Sequence, residues 1–107
     1  MSPGTLINCF EVTPERDERF LQPWRQADDL LRSRGGYRTT RLHEALGPQA
    51  RSRHVHVAEL ASVETWRSAV AGPEFAALAA RMADLSPTPG FHTVEIARST
   101  AGPEQDR

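Results

Sequence analysis

Residues 53–60, which read Arg-His-Val-His-Val-Ala-Glu-Leu, decide the fold of this chain. Successive side chains of a strand point to opposite faces, so His54 and His56 share one face and the two valines share the other. Alternation of this kind predicts a β-strand. An imidazole on a buried strand can bind a ligand or accept a proton near neutral pH. His56 is therefore the first candidate for a functional residue.

Three further segments of the chain alternate in the same way. They are residues 5–12, 37–46 and 90–97, and each predicts a strand. A short polar connection joins the second and third strands in chain order, which predicts a hairpin. Residues 99–107 are polar and are predicted to be disordered, so a single domain covers residues 1–98.

Apolar residues at helical spacing fill the two remaining gaps between strands. In the first gap, Thr13-Pro14 supplies an N-cap and a first helical proline, and Gly35-Gly36 ends the helix. Pro23 inside this helix predicts a kink or a fresh start. In the second gap, Ser62 caps a helical region that Gly72-Pro73 interrupts.

The predicted order of elements is strand-helix-strand-strand-helix-strand, which is the ferredoxin-like βαββαβ motif. This motif gives an α+β fold, in which a four-stranded antiparallel sheet carries both helices on one face. The other face also needs cover, because several apolar side chains are predicted to lie there. We expect a homodimer in which two sheets pack back to back. The side chains in question are Ile7, Cys9, Leu42, Val55 and Val57.

Composition restricts the functions open to the chain. It has 107 residues, a net charge of −1 at pH 7 and one cysteine. With no basic excess to neutralise phosphates, nucleic-acid binding is disfavoured. A single cysteine allows neither an internal disulfide nor a thiolate zinc site, which fits a reducing cytosol. No apolar run is long enough to span a membrane, and no signal-peptide pattern is present, so we expect a cytoplasmic protein.

Several short stretches between residues 5 and 98 match a known family through their order and spacing. They read LINCFEV at 6–12, WR at 24–25, GY at 36–37, RLH at 41–43, VAE at 57–59, GPEF at 72–75 and PGF at 89–91. Through them the chain resembles the antibiotic biosynthesis monooxygenase family. The resemblance implies a dimeric α+β barrel of ferredoxin-like subunits. It also implies oxidation of anthrone-type rings of aromatic polyketides by molecular oxygen, without metal, flavin or haem.

The chain departs from that family at three positions of the implied site. The resemblance places the family's third-strand asparagine at His56 and the tryptophan four residues later at Leu60. The aromatic residue of the last strand is divided here between Phe91 and His92. Relatives on the same fold cyclise polyketides without oxidation. A cyclase that uses the same histidine as its base is therefore the alternative to an oxygenase.

No cofactor is predicted for this chain. The haem-degrading branch of the fold matches at Asn8, but residues 77–80 read Ala-Leu-Ala-Ala where that branch has its haem ligand. His54 and His56 offer two metal ligands on one strand face, and a third would have to come from His92 or Glu95. A glycine-rich phosphate loop and a dinucleotide fingerprint are both missing from the sequence. We therefore expect neither a metal nor an organic cofactor.

The candidate active site consists of residues expected to face the helices. His56 is the proposed base for an acidic phenol or an activated methylene, with Asn8 and Arg41 orienting substrate oxygens. Arg41 alternates with Leu42, so the register of the strand decides which of them faces inward. The alternative interpretation of His56 is a core histidine with a satisfied hydrogen bond. The predicted substrate-binding residues are Trp66, His54, His92, Tyr37, Leu60, Phe75 and Met82.

These features combine into one predicted function and two alternatives. The prediction is a small cofactor-independent monooxygenase-like enzyme that acts on a phenolic or anthrone-type intermediate of an aromatic polyketide. The first alternative is a non-oxidative polyketide cyclase on the same fold. The second is a domain that binds a small molecule without catalysis.

Overall fold

The computed structural model describes residues 4–85 and 87–93. The strands are β1 (Gly4–Phe10), β2 (Thr39–Glu44), β3 (His54–Leu60) and β4 (Thr88–His92). The α-helices are α1 (Asp17–Ser33), α2 (Val63–Ala69) and α3 (Pro73–Ala80), and short 3₁₀ helices cover Pro14–Arg16 and Ala83–Leu85. This order is the predicted βαββαβ arrangement, with its second helical region divided into α2 and α3.

The four strands form one antiparallel sheet in the order β2-β3-β1-β4. β3 pairs with both β1 and β2, and in these pairs His56 lies opposite Asn8 and opposite Leu42. Directly opposite residues of antiparallel strands point to the same face. Asn8, Leu42 and His56 therefore share the side of the sheet that faces the helices. The predicted ferredoxin-like α+β fold is confirmed.

The placement of Leu42 on the face away from the helices was wrong. Leu42 packs against the core that contains Phe10 and Phe20. Arg41 lies opposite Val57 and so points to the other face, which we call the open face. β2 is an edge strand in which no residue is fully buried, and both of its faces carry polar side chains. The alternation of β2 alone therefore does not show which of its side chains face the helices. The pairing of β2 with β3 does show it.

Two apolar clusters hold the helices to the sheet. Phe10, Phe20 and Leu85 belong to the first cluster, which joins β1, α1 and the second 3₁₀ helix. Leu6 and Leu60 belong to the second, against which Val63 and Trp66 of α2 pack. Burial of such side chains contributes about 1.5–3 kcal/mol each. The cores thus fix α1 and α2 on the same side of the sheet as His56.

The helix ends follow the sequence signals in part. The Ser62 hydroxyl accepts a hydrogen bond from the Thr65 backbone N–H at 3.0 Å, so this N-cap is confirmed. Gly35 adopts a φ of 73°, the left-handed conformation expected after α1. Thr13 makes no side-chain cap, because a 3₁₀ turn intervenes before α1 begins at Asp17. α1 continues through the buried Pro23 and does not restart there.

The last strand begins earlier than its sequence pattern indicated. β4 starts at Thr88 and includes Pro89, which an edge strand tolerates because its N–H groups need no partner. The predicted continuation over residues 94–97 and the predicted disorder of residues 99–107 lie outside the described residues. Within residues 4–85 and 87–93, no helix has the length and apolar character needed to cross a bilayer.

Candidate functional site

A small cavity lies between the helix-facing side of the sheet and the helices, and its volume is about 50 Å³. It brings together six of the predicted site residues, which come from distant parts of the sequence. These are Asn8, Tyr37, His56, Trp66, Phe75 and Met82. The rest of the lining, which was not predicted, consists of Leu6, Phe10, Trp24, Ala27 and Asp28.

His56 forms one wall of this cavity and is 3% exposed. The ring of Trp24 meets the imidazole edge to face, with centroids 5.1 Å apart, and the ring of Tyr37 does so at 5.3 Å. His56 Nε2 is 2.6 Å from the Thr40 hydroxyl oxygen. Trp24 was not among the predicted site residues. It packs against the core and also lines the cavity beside the imidazole.

Burial lowers the pKa of His56 from 6.5 to about 4. The imidazole is therefore neutral at pH 7, with one nitrogen protonated and the other carrying a lone pair. A neutral imidazole can accept a proton from a bound acid. Charging it in this apolar setting is costly unless an anion forms beside it at the same time. The site thus favours a reaction in which an acidic substrate becomes an anion in contact with His56.

Asp28 is the functional candidate that the sequence reasoning missed. It is 8% exposed, and its Oδ2 accepts an ion-paired hydrogen bond from Arg32 Nε at 3.1 Å. Burial raises the pKa of Asp28, while Arg32 and the nearby Thr40 hydroxyl act in the opposite direction. Asp28 was not among the predicted site residues. Its spacing, four residues after Trp24 and three before Leu31, was the signal for the buried stripe.

Three buried polar atoms in the cavity wall have no hydrogen-bond partner among the described residues. They are Asn8 Oδ1, Asp28 Oδ1 and Trp66 Nε1. The Trp66 indole lies near the Tyr37 hydroxyl but outside hydrogen-bond geometry. Buried polar atoms are almost always paired, so these three indicate a polar occupant of the cavity. A volume of about 50 Å³ suffices for one or two water molecules.

Tyr37 reaches the cavity because it precedes β2. The predicted second strand placed Tyr37 and Arg41 on one face, whereas the observed strand begins only at Thr39. Because Tyr37 lies before the strand, strand alternation does not set the direction of its side chain, which packs on His56. Burial, followed by the negative charge of Asp28, raises the pKa of Tyr37. Its phenol therefore remains protonated and offers the cavity a hydroxyl donor.

Arg41 and His92 are not brought to the cavity. Arg41 lies opposite Val57, and His92 lies opposite Thr5, so both point to the open face. Both residues are exposed. The expectation that His92 faces the helices was wrong, and the register excludes Arg41 from contact with His56. The aromatic residue on the helix side of β4 is Phe91, whose ring lies 5.0 Å from that of Trp66.

His54 and Leu60 face the helices but do not line the cavity. His54 is 1% exposed, stacks on Phe20 with centroids 4.7 Å apart, and lies 3.0 Å from Asp17 Oδ1. Leu60 belongs to the apolar cluster under α2. Residues two apart on a strand are separated by about 7 Å, so neighbours on one face need not share a pocket.

The surroundings of His54 form an ion-pair network. Ligand atoms of Asp17, Glu44 and His54 lie within 4.8 Å of one another, a spacing that suits a metal. The Arg53 guanidinium already bonds both Asp17 oxygens, at 2.8 and 2.7 Å, and lies 3.7 Å from Glu44. The pKa of Asp17 falls to about 2 through this hydrogen bonding, chiefly with Arg53. The Asp17 carboxylate is therefore already held by Arg53, whereas His54 Nδ1 is buried without a hydrogen-bond partner among the described residues.

The histidine metal set considered from the sequence does not assemble from the described residues. His54 and His56 share a face, but His92 lies on the opposite side of the sheet. Glu95, the other third ligand considered, lies outside the described residues. A metal site on these histidines therefore has no third ligand in the part of the chain that the structure describes.

The surface also carries a larger groove of about 440 Å³, which runs along one end of the sheet. Three arginines line it, and each is already paired with a carboxylate. Arg16 bonds Asp84 at 3.0 Å, Arg51 bonds Glu11 at 2.9 Å, and Arg53 bonds Asp17. Among the described residues, the groove therefore has no unpaired cation to attract an anion. The smaller buried cavity, with its unpaired polar atoms, is the better candidate site.

The fold of this chain recurs in solved structures of small bacterial proteins. A variant of SnoaB, a cofactor-independent oxygenase from Streptomyces nogalater, superposes with a TM-score of 0.74. The two chains are 19% identical, and the match covers 91% of this chain and 97% of SnoaB. The two proteins share one fold. No protein-family model matches the sequence, and no curated protein is similar to it.

Two further structures extend this likeness. A Caulobacter crescentus protein assigned to antibiotic biosynthesis monooxygenases has a TM-score of 0.71 at 14% identity, covering 87% of this chain and 91% of that one. A dimeric ferredoxin-like protein of unknown function from Jannaschia sp. CCS1 has a TM-score of 0.72 at 9% identity, covering 87% and 100%. At these identities the likeness establishes the ferredoxin-like fold alone.

Proposed function

We propose that this chain is a cofactor-independent oxygenase that acts on a phenolic or anthrone-type aromatic intermediate of polyketide antibiotic biosynthesis. The observation that carries the proposal is His56, a buried neutral imidazole in a cavity walled by aromatic rings and unpaired polar atoms. The aromatic rings suit a planar substrate. The likeness to SnoaB, a cofactor-independent oxygenase, supports this choice of reaction.

The proposed reaction begins with proton transfer from the substrate to His56. A methylene between two aromatic rings loses a proton to the imidazole, and the electron pair of the broken C–H bond delocalises through those rings onto the conjugated carbonyl oxygen. The Asn8 amide and the Tyr37 hydroxyl line the same cavity and hydrogen-bond the substrate oxygens. The resulting imidazolium and enolate neutralise each other, which offsets the cost of charging His56 in an apolar site.

Molecular oxygen then completes the oxidation. The enolate carbon donates an electron pair to O₂, and the imidazolium returns its proton to give a hydroperoxide at that carbon. Loss of the second C–H proton together with hydroxide breaks the O–O bond and leaves a ketone. One oxygen atom ends in the product and the other in water. The methylene is oxidised by four electrons and O₂ is reduced by four, so no external reductant is required.

A tricyclic substrate needs more room than the cavity now offers. Sites for ligands of this size typically enclose about 300–1,000 Å³, against about 50 Å³ here. The wall formed by Phe75 belongs to α3, which contains no fully buried residue. Gly72 immediately precedes α3 and has a φ of 104°, which is not a helical value. The α-helical backbone is therefore interrupted between α2 and α3. We propose that α3 moves outward when the substrate binds.

The cavity volume favours a second candidate, a domain that binds a smaller polar molecule without catalysis. About 50 Å³ would accommodate a ligand of a few atoms that supplies partners for the unpaired atoms of Asn8, Asp28 and Trp66. This candidate requires no movement of α3. It predicts that a small polar molecule such as formamide raises the Tm of the protein while no aromatic substrate is turned over.

Oxygen uptake with dithranol, a commercially available anthrone, tests the proposed function. We expect the purified protein to accelerate uptake above the uncatalysed oxidation, with one O₂ consumed per dithranol and no added metal or flavin. An oxygen electrode and absorbance of the product measure both quantities. Turnover of a poly-β-ketone without oxygen uptake would favour the cyclase instead. No turnover of either compound, together with thermal stabilisation by formamide, would favour the binding domain.

We further propose that the open face of the sheet forms a homodimer. Ile7, Val55 and Val57 are only half-buried there, although they are apolar. An uncovered apolar face of this kind marks an association surface. The dimeric Jannaschia protein of the same fold supports the proposal. Arg41, which the register places on this face, would then contact the partner chain and not the substrate.

Replacing Ile7 with aspartate is expected to dissociate this dimer. Ile7 lies in the central part of the face, opposite Val57 and Gly90. A two-fold interface would bury the new carboxylate twice, and we expect the dimer Kd to rise by at least about 10²-fold. Size-exclusion chromatography with light scattering measures the change. Leu46→Asp, at a fully exposed loop position, is the matched control. A wild-type chain that is monomeric at all concentrations would disprove the dimer.

A further inference from the structure

Three polar side chains from different elements lie next to one another beside the cavity, and two of them, Asp28 and His56, line it. Asp28 comes from α1, Thr40 from β2 and His56 from β3. The Thr40 hydroxyl oxygen is 2.6 Å from His56 Nε2. The same hydroxyl lies close enough to the Asp28 carboxylate to lower its pKa. We call this arrangement the Asp28–Thr40–His56 chain.

The Thr40 hydroxyl has one proton to donate, and this restricts the chain to two states. If the hydroxyl donates to Asp28, it must accept from a protonated Nε2 of His56. If the hydroxyl donates to His56, Nε2 carries the lone pair and Nδ1 carries the proton. The partner on the far side of Thr40 therefore decides which ring nitrogen of His56 is basic.

Two observations indicate which state is occupied. Asp28 Oδ2 accepts from the Arg32 guanidinium at 3.1 Å, which favours the ionised carboxylate. Asp28 Oδ1 is buried and has no partner among the described residues, so it requires a donor. An ionised carboxylate can only accept, and the nearby Thr40 hydroxyl can supply the proton. The Thr40 hydroxyl already lowers the pKa of Asp28, as a hydrogen-bond donor would, and hydrogen bonds in a ligand-free site are often long or poorly aligned.

We infer that Asp28 sets the tautomer of His56 through the Thr40 hydroxyl. The Asp28 carboxylate accepts the Thr40 proton, Thr40 accepts the Nε2 proton of His56, and Nδ1 keeps the lone pair. Thr40 contacts Nε2 and not Nδ1, so Nδ1 is the ring nitrogen left to meet a substrate. In the proposed function, on which this interpretation of the chemistry rests, Nδ1 receives the substrate proton and Asp28 is a positioning residue.

The tautomer can be determined directly in the free protein by ¹⁵N NMR of the histidine side chains. Protonated and unprotonated ring nitrogens differ in chemical shift and in their couplings to the ring protons. At pH 7 His56 is neutral, and the chain has only four histidines to assign. We expect the Nε2–H form of His56 to exceed the Nδ1–H form by about tenfold. A dominant Nδ1–H form in the wild-type protein would overturn the inference.

Asp28→Asn is expected to reverse this preference. In this variant the side-chain amide oxygen keeps the bond from Arg32, because a charged donor prefers the oxygen. The amide N–H then faces Thr40, whose own proton turns to His56 Nε2. Asp29→Asn is the matched control, since Asp29 also bonds Arg32 but is exposed on the outer side of α1. We expect the control to leave the tautomer of His56 unchanged.

Thr40→Val separates action through Thr40 from a direct effect of charge. In the Thr40→Val background, adding Asp28→Asn should produce no further change in the tautomer. An unchanged Nε2–H form in Asp28→Asn would mean that water, and not Thr40, satisfies the carboxylate, and would overturn the inference. The measurement uses no substrate. The expected tautomers without any oxygen uptake would therefore refute the proposed function and leave this inference standing.

Discussion

Replacing His56 with glutamine is expected to lower the rate of enzymatic dithranol oxidation by about 10²–10⁴-fold, the range typical for loss of a general base. Glutamine can retain a hydrogen bond to Thr40 but cannot accept a proton at neutral pH. The loss should therefore fall on kcat and leave binding of the aromatic ring largely intact. Steady-state oxygen uptake across a range of dithranol concentrations separates the two quantities.

The control for this substitution is His43→Gln. His43 lies on the same sheet but opposite Val55, so it points to the open face, away from the cavity. We expect this variant to retain wild-type turnover. If His56→Gln also retained full activity, His56 would be a core histidine with a satisfied hydrogen bond, and the proposed mechanism would be wrong. Far-ultraviolet circular dichroism verifies that each variant is folded.

The second large effect is a loss of stability in mild acid. The pKa of His56 is about 4 in the folded protein, against 6.5 for a solvated histidine. Between these values the unfolded chain binds a proton that the folded chain does not. Stability is therefore fully present above pH 6.5, falls as the pH drops towards 4, and loses about 3 kcal/mol in total. Small domains have about 5–15 kcal/mol in all, so the loss is substantial.

Urea unfolding at several pH values between 7 and 4 measures this dependence. His56→Gln has no titrating group at this position. Between pH 7 and 4, its free energy of unfolding should therefore fall less than that of the wild-type protein, and the difference should equal the contribution of His56. The contribution of Asp17 falls in a different window, because its pKa is lowered from 3.8 to about 2 and its stabilisation is lost only below pH 4. Parallel pH profiles for the wild-type protein and His56→Gln would show that burial of His56 is not linked to folding.

The sequence alone predicted the strands, the helical regions and the burial of His56 on β3. Alternation over residues 53–60 and helical spacing elsewhere are local properties of the backbone, so they can be recognised without knowing the fold. The same is true of the Ser62 cap and the left-handed Gly35, which need only their neighbours. His56 emerged from the alternation of its own strand, and it is indeed buried beneath the helices.

Placement of the polar side chains depended on partners far away in the chain. Arg41 and Leu42 could not be assigned to a face until pairing with β3 fixed the register of β2. The face on which His92 lies was decided in the same way, by the pairing of β4 with β1. His54 and His56 share a face, yet Phe20 covers one and the cavity opens beside the other. A shift of one residue in register would reverse each strand assignment.

Asp28 and Thr40 show most clearly what only the tertiary structure decided. Neither residue has a local pattern that marks it as functional, since aspartates on helices and threonines on edge strands are ordinarily solvated. Their proposed role arises because α1 places Trp24 and Asp28 beside His56, and pairing of β2 with β3 places Thr40 there. The sequence by itself determined the elements and the buried imidazole. Packing determined which groups surround it, because long-range contacts and not local preference bring those groups together.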